Sequence, residues 1–135
     1  STVFTLEGVS QYITKEALVS TLDELKTLIQ TSNSTLFLSY VDEAFDSDPE
    51  VCFGKGYPNA VKRANLIRSL SEKVGEPWVS FYSEAEIGDM LSQVGFAIQQ
   101  NVTLEHLNPL YFGPVGRMLA ENQILKLEHL LIASN

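Results

Sequence analysis

The stretch Glu7-Gly8-Val9-Ser10-Gln11-Tyr12 joins two segments of opposite character, and the organisation of the chain follows from it. Residues 2 to 6, before it, are apolar, aromatic or β-branched, which is typical of a buried strand. Thr14, after it, is a good N-cap and opens an amphipathic helical pattern. The stretch is therefore predicted to be the turn at the carboxyl end of a strand, where open α/β sheets bind their ligands.

Glu7 is the unusual residue of this turn, because a carboxylate directly follows a run that looks buried on both faces. Two interpretations are open. Glu7 is a ligand-binding group at the edge of the sheet, or it is a solvated loop acid, since connections between elements usually lie on the surface.

Strand-like and helix-like segments alternate along the chain, and this order predicts an α/β domain with a right-handed parallel crossover. The first helix is expected to end near Thr31, a second spans Val61 to Val74, and a third starts at a capping box of Ser83 and Glu86. A short helix is expected around residues 115 to 122. Further strands are predicted at residues 35–41, 96–102 and 127–133, the last two pairing antiparallel at one edge of the sheet.

The composition excludes several classes of protein. The chain has 135 residues, which suits a single domain, and its net charge of −8 argues against nucleic acid or an anionic membrane as a partner. No apolar run approaches the ~20 residues that cross a bilayer. Cys52 is the one cysteine, which excludes an internal disulfide and favours a cytoplasmic location.

An acidic loop follows the second predicted strand, and it raises the question of a metal site. Its carboxylates are Asp42, Glu43, Asp46, Asp48 and Glu50. Their spacing does not match an EF-hand loop, so we predict a solvated loop and no metal.

Four pieces of the sequence together resemble a known family. EGVSQYI at residues 7–13 is similar to the segment after the fourth strand in S-adenosylmethionine-dependent methyltransferases of the leucine carboxyl methyltransferase family. The other pieces stand in the family's order: Tyr40-Val41-Asp42 at a strand end, Gly75-Glu76-Pro77-Trp78, and a final strand from Glu128 to Ala133. The resemblance covers nearly the whole chain, but only the second half of the family's domain.

The resemblance implies a fold and a set of site residues. The fold would be the C-terminal half of a Rossmann-like class I methyltransferase, with a mixed sheet of about four strands, helices on both faces and the last strand inserted between the fifth and sixth. Glu7 would accept from the ammonium group of S-adenosylmethionine, Tyr12 would line the substrate side, and Trp78 would belong to a lid. Core packing with a wet polar tip is the alternative for Tyr12 and Trp78.

No catalytic residue is predicted. S-adenosylmethionine is already an electrophile, and a carboxylate acceptor needs no deprotonation at neutral pH. Positioning would then supply most of the rate. His106 and His129 have no obvious partner in the sequence and are expected to be structural.

These observations lead to one expected function and one competitor. The family's glycine-rich turn and ribose-holding acid are absent, so we expect the C-terminal part of an O-methyltransferase that binds its cofactor weakly or not at all and is inactive alone. Its acceptor would be a carboxylate or hydroxyl of a small molecule or a protein terminus. The alternative is a stand-alone α/β protein-interaction module without catalysis. We also expect a homodimer through the unpaired edge of residues 3–6.

Overall fold

The computed structural model describes residues 1–30 and 32–135, and these form one mixed α/β layer structure. The strands are β1 Thr2–Leu6, β2 Ser34–Val41, β3 Ala97–Val102 and β4 Glu128–Ser134. The helices are α1 Lys15–Ile29, α2 Ala44–Ser47, α3 Ala60–Lys73, α4 Glu84–Val94 and α5 Leu104–Leu107. Shorter turns are 3-10 helical at Ser10–Tyr12, Pro49–Cys52 and Glu121–Gln123, and π-helical at Asn108–Phe112.

The sheet has the order β1-β2-β4-β3. β1 and β2 are parallel, and α1 connects them as the predicted crossover. β4 is antiparallel to both of its neighbours, β2 and β3. The predicted mixed sheet of four strands with an antiparallel last pair is therefore confirmed, as is the insertion of the last strand between the two that precede it.

One face of the sheet carries the main core. α1 and α4 pack there, and their stripes of Leu18, Leu22, Ile87 and Leu91 are almost fully buried. The sheet contributes alternate residues to the same core: Leu36, Leu38, Tyr40, Leu131 and Ala133. A second, smaller core lies between α2, α3 and the loops around them, and it includes Val41, Phe45, Cys52, Phe53, Ala64 and Leu127.

The other face of the sheet is covered only in part. The helical turns of residues 104–112 lie over β3 and β4, which gives this face its share of helix. Toward β1 the face is bare, since Val3 is 61% exposed, Phe37 37% and Leu130 40%. We call the whole of this face of the sheet, opposite α1 and α4, the open face. Sheets with one face bare normally carry polar residues there, so the apolar side chains are unusual.

The predicted helix starts agree with the structure. The Thr14 side chain accepts from the Ala17 amide at 3.2 Å, and the Ser83 side chain accepts from the Glu86 amide at 3.1 Å. α1 ends at Ile29, and the predicted end near Thr31 falls on a residue outside those described. No helix within the described residues is both long and apolar enough to cross a membrane.

The helix expected around residues 115–122 is wrong. Helical turns occur earlier, at residues 104–112, where Thr103 and His106 cap the first of them. Further on, Gly116 adopts a φ of 69°, which no helix accommodates. The Asn108 side chain also binds both backbone groups of Leu119, donating to its carbonyl at 2.9 Å and accepting from its amide at 2.8 Å. These bonds replace those that a helix would make.

Candidate functional site

The turn after β1 is held against the neighbouring strand by Ser39 of β2. The Gly8 amide donates to the Ser39 hydroxyl at 2.8 Å, and the buried Ser10 hydroxyl donates to the Ser39 carbonyl at 2.8 Å. Gly8 has a φ of 66°, a left-handed conformation that favours glycine. The predicted turn at the carboxyl end of a strand is therefore confirmed, and it is fixed in place.

An irregular segment of residues 75–80, which we call the strap, lies beside this turn. The amides of Val79 and Ser80 both donate to the Gln11 carbonyl, at 2.7 and 3.3 Å. The Ser80 hydroxyl donates to the Ile13 carbonyl at 2.6 Å. The strap lacks helix and strand bonds of its own, so these bonds to the turn determine its position.

The turn and the strap enclose an open cleft of about 620 Å³. Its lining comes from both segments: Gly8, Tyr12, Gly75, Glu76, Pro77 and Val79. Tyr12 is 40% exposed, so its ring forms part of the wall and is not packed in the core. The structure thus brings Tyr12 and the Gly-Glu-Pro-Trp segment together, as the proposed substrate role for Tyr12 requires.

Glu7 lies one residue before this cleft and borders a second cavity. That cavity is an apolar groove of about 350 Å³ on the open face. The side chains that line it with Glu7 are mostly aliphatic or aromatic, among them Phe37, Val102, Leu107, Leu110, Tyr111, Leu130 and Ile132. Glu7 is exposed, and within residues 1–30 and 32–135 its carboxylate has no ion pair or hydrogen-bond partner. It is free to receive a cationic group.

Trp78 occupies a different environment from Tyr12. Its ring packs 5.3 Å from the ring of Phe45, in the second core. Its indole Nε1 is buried and has no partner among the described residues. The ring packs in the core, as in the alternative for this residue, but its polar tip is buried and not wet, while the strap to which it belongs walls the cleft.

Gln11 is a site residue that the sequence did not reveal. Its side chain is only 7% exposed, and its Oε1 has no partner among the described residues. A glutamine in a turn normally extends into water. The strap, which is distant in sequence, bonds to the Gln11 carbonyl, and such a tertiary contact gives no local signal in the sequence.

A network of polar side chains lies at the carboxyl end of β2, on the core face of the sheet. His129 Nε2 lies 2.9 Å from Asp42 Oδ2, and its Nδ1 lies 3.2 Å from Asn101 Oδ1. Asn101 Nδ2 in turn donates to the Tyr40 hydroxyl at 2.8 Å, and the ring of Tyr40 stacks on that of His129 at 4.7 Å. His129 thus has partners that the sequence did not reveal, as suits its expected structural role, because the fold joins it to Asp42, 87 positions away. Asp42, expected to be solvated with the rest of its loop, is one of these partners.

Another cavity, slightly larger than the cleft, lies beside the start of α3. It measures about 660 Å³ and is lined in part by Lys55 and Lys62, but by none of the predicted site residues. The described residues contain no cluster of His, Cys, Asp and Glu that could hold a metal ion. The acidic loop instead forms α2 and a 3-10 turn, with Asp46 paired to Arg68 at 2.9 Å.

The comparisons with known proteins concern the chain and its fold. No family model matches the chain. It is 30% identical over 111 residues to a Bacillus subtilis (strain 168) protein named "Putative S-adenosyl-L-methionine-dependent methyltransferase YktD", an alignment covering 82% of this chain and 33% of that protein. The chain therefore spans about a third of the length of the curated relative that it matches.

A solved structure matches almost the entire chain. The crystal structure of magnesium protoporphyrin IX methyltransferase from Synechocystis PCC 6803, with bound SAH, superposes on 99% of this chain with a TM-score of 0.51 and 16% identity. The match covers 43% of that protein. The chain has a methyltransferase fold. Neither comparison names the leucine carboxyl family, so within the methyltransferase fold that finer assignment stays a prediction.

Proposed function

We propose that this chain is part of an S-adenosylmethionine-dependent methyltransferase, and that the turn after β1 binds the methionine end of the cofactor. The observation that carries the proposal is the Glu7 carboxylate, which has no partner among the described residues and lies at the carboxyl end of a parallel strand. The methyltransferase relative and the shared fold support it.

Glu7 suits the cofactor chemically. An ammonium group facing a carboxylate forms a short, charge-assisted hydrogen bond, which is stronger than a neutral one. Gly8, bound to Ser39, holds the turn so that Glu7 keeps its place at the strand end. When bound, S-adenosylmethionine would supply a sulfonium methyl group, and this chain would supply the position of the acceptor beside it.

The acceptor would lie in the cleft beside Tyr12. The expected reaction is O-methylation of a carboxylate or a hydroxyl, on a small molecule or a protein terminus. Of the described residues that line the cleft, none is a histidine, lysine, arginine or cysteine. Tyr12 and Glu76 are the ionisable side chains of that lining, and placing the acceptor would supply most of the rate.

Other contacts to the cofactor would come from residues beyond this sequence. The chain spans about a third of its methyltransferase relative, and both the outer edge of β1 and the open face are uncovered. A longer protein could complete the sheet there and supply the glycine-rich turn and the ribose-holding acid. We therefore expect weak cofactor binding, or none, by residues 1–135 alone.

A cofactor titration of a longer protein containing this chain tests the proposal. Glu7→Gln should weaken S-adenosylmethionine binding by about ten- to a hundredfold, since a hydrogen bond to a charged group contributes ~1.5–3 kcal/mol. Glu72→Gln, in an exposed part of α3, is the matched control and should leave the affinity unchanged. An equal affinity for the Glu7→Gln variant would favour the competing interaction module, in which Glu7 is a loop acid.

A further inference from the structure

The cleft between the turn and the strap is poor in positive charge. Among its described lining residues, Glu76 has the only side chain that is charged at neutral pH, and Glu7 lies directly beside Gly8. No lysine or arginine is among those lining residues. Elsewhere in the fold, Lys15 pairs with Glu86 at 2.7 Å, and Arg68 pairs with Asp46 at 2.9 Å.

We infer that this cleft accepts an uncharged or cationic methyl acceptor, namely an alcohol, a phenol or an amine, and discriminates against a carboxylate. The inference rests on the proposed function, which places the acceptor in the cleft, and it changes the acceptor class by removing carboxylates and adding amines. A carboxylate entering the cleft would approach Glu76 with no cation among the described lining residues to balance the two charges, and it would lose water in doing so. A neutral hydroxyl meets neither cost, and an ammonium is attracted.

The transfer balances for a hydroxyl acceptor. A lone pair of the acceptor oxygen forms the new bond to the methyl carbon, while the bond from that carbon to sulfur breaks and its electrons remain on sulfur. The hydroxyl proton leaves to solvent, to which the cleft is open, so no oxidant or second reactant is needed.

Three matched probes test the inference without any cofactor: benzyl alcohol, benzylamine and benzoate. Trp78 is the single tryptophan, so its indole N–H gives one NMR signal in the strap that reports binding. We expect benzoate to bind at least tenfold more weakly than the alcohol or the amine. Glu76→Gln should reduce the difference in affinity between benzoate and the other two probes, and Glu76→Lys should make benzoate the tighter ligand. Glu72→Lys, on α3, should leave the ratio of affinities unchanged.

The inference is overturned if the unaltered chain binds benzoate as tightly as benzyl alcohol, if Glu76→Lys leaves the ratio unchanged, or if none of the probes binds. Since the titration contains no S-adenosylmethionine, these outcomes are independent of the Glu7→Gln measurement. If Glu7→Gln leaves the cofactor affinity unchanged while benzoate binds as weakly as expected, the cleft remains a binding site but loses its proposed role in methyl transfer.

Discussion

Tyr40 shows how a buried residue joins the edge of the sheet to its core. Its side chain is almost fully buried, its hydroxyl accepts from Asn101, and its ring stacks on His129. Asp42 completes the network from the end of β2. If one member is removed, the polar groups that bonded to it are left without a partner. Breaking the network therefore costs more stability than replacing all of it with apolar side chains would.

The first residue-scale prediction concerns alkaline pH. Burial raises the pKa of Tyr40 to about 12, against the opposing effect of its Asn101 hydrogen bond. Because the folded pKa lies above the unfolded one, the stability linked to Tyr40 is complete below pH ~10 and is lost as the pH rises toward 12. Denaturant unfolding from pH 8 to 12 should show this decline, on the order of 2 kcal/mol.

Tyr40→Phe is the comparison for that measurement. It should lower stability at pH 8 by about 1 kcal/mol, because Asn101 loses its acceptor, yet its decline above pH 10 should be shallower. Burial also raises the pKa of Tyr82, so some decline will remain in the variant. Parallel curves for the two proteins would contradict the role given to Tyr40.

At the scale of the elements, two glycines offer a matched test of local packing. Gly54 lies against the turn of residues 121–123, and its amide donates to the Ile124 carbonyl at 2.9 Å. A methyl group there would collide with the Glu121 backbone carbonyl. Gly88 lies inside α4, where a methyl group would meet only Ile98 Cδ1 at 3.8 Å.

We expect the two alanine substitutions to have opposite signs. Gly54→Ala should destabilise the chain by about 1–3 kcal/mol, since backbone atoms must move to admit the methyl group. Gly88→Ala should stabilise it by about 0.5–1 kcal/mol, because alanine is the better helix former. Thermal and urea unfolding measure both. Equal and small effects would show that the 121–123 turn can shift without cost.

The regular elements could be predicted from the sequence because their signals are local. β1 was expected at residues 2–6 and is found there, although its residues are exposed or half-buried and not buried on both faces as expected. α1 and α4 begin directly after the residues that cap them. The region after β3 could not be predicted in the same way. There the fold depends on the Asn108 side chain, which replaces helical bonds at Leu119, eleven residues away.

In the candidate site, too, some residues could be predicted from local signals and others could not. The turn and Glu7 were predictable, because a strand, a turn and a helix follow one another in the sequence. The partnership of Gln11 with the strap, and that of Asp42 with His129, depend on elements brought together by tertiary packing. Such pairs leave no periodic or compositional signal.

At the scale of the molecule, the outer edge of β1 is the feature with the widest consequence. β1 pairs with β2 on one side only. The Thr2 amide donates to Asn33 of the β2 side at 3.0 Å, and alternation therefore turns the amides of Val3 and Thr5 outward. Within the described residues this edge is unpaired, and Val3 beside it is exposed, so we propose that two copies of residues 1–135, without the longer protein that would cover this edge, pair here about a two-fold axis.

Thr5→Pro tests this assembly selectively. It removes an outward amide and leaves the ladder to β2 intact, so it should shift the chain from dimer toward monomer while the fold persists. Thr5→Val keeps the amide and should remain dimeric. Sedimentation equilibrium measures the mass, and circular dichroism checks the fold. A monomer at high concentration for the unaltered chain would refute the pairing.

The insertion of β4 between β2 and β3 also separates the order of synthesis from the order of assembly. β2 and β3 do not bond to each other. Each pairs with β4, which leaves the ribosome after both. Until residues 128–134 emerge, only the β1–α1–β2 unit can form its sheet bonds, with its apolar stripes bare. At ordinary translation rates of ~5–20 residues per second, this apolar surface would stay exposed for several seconds. A chaperone that binds nascent chains would bind to it during that time.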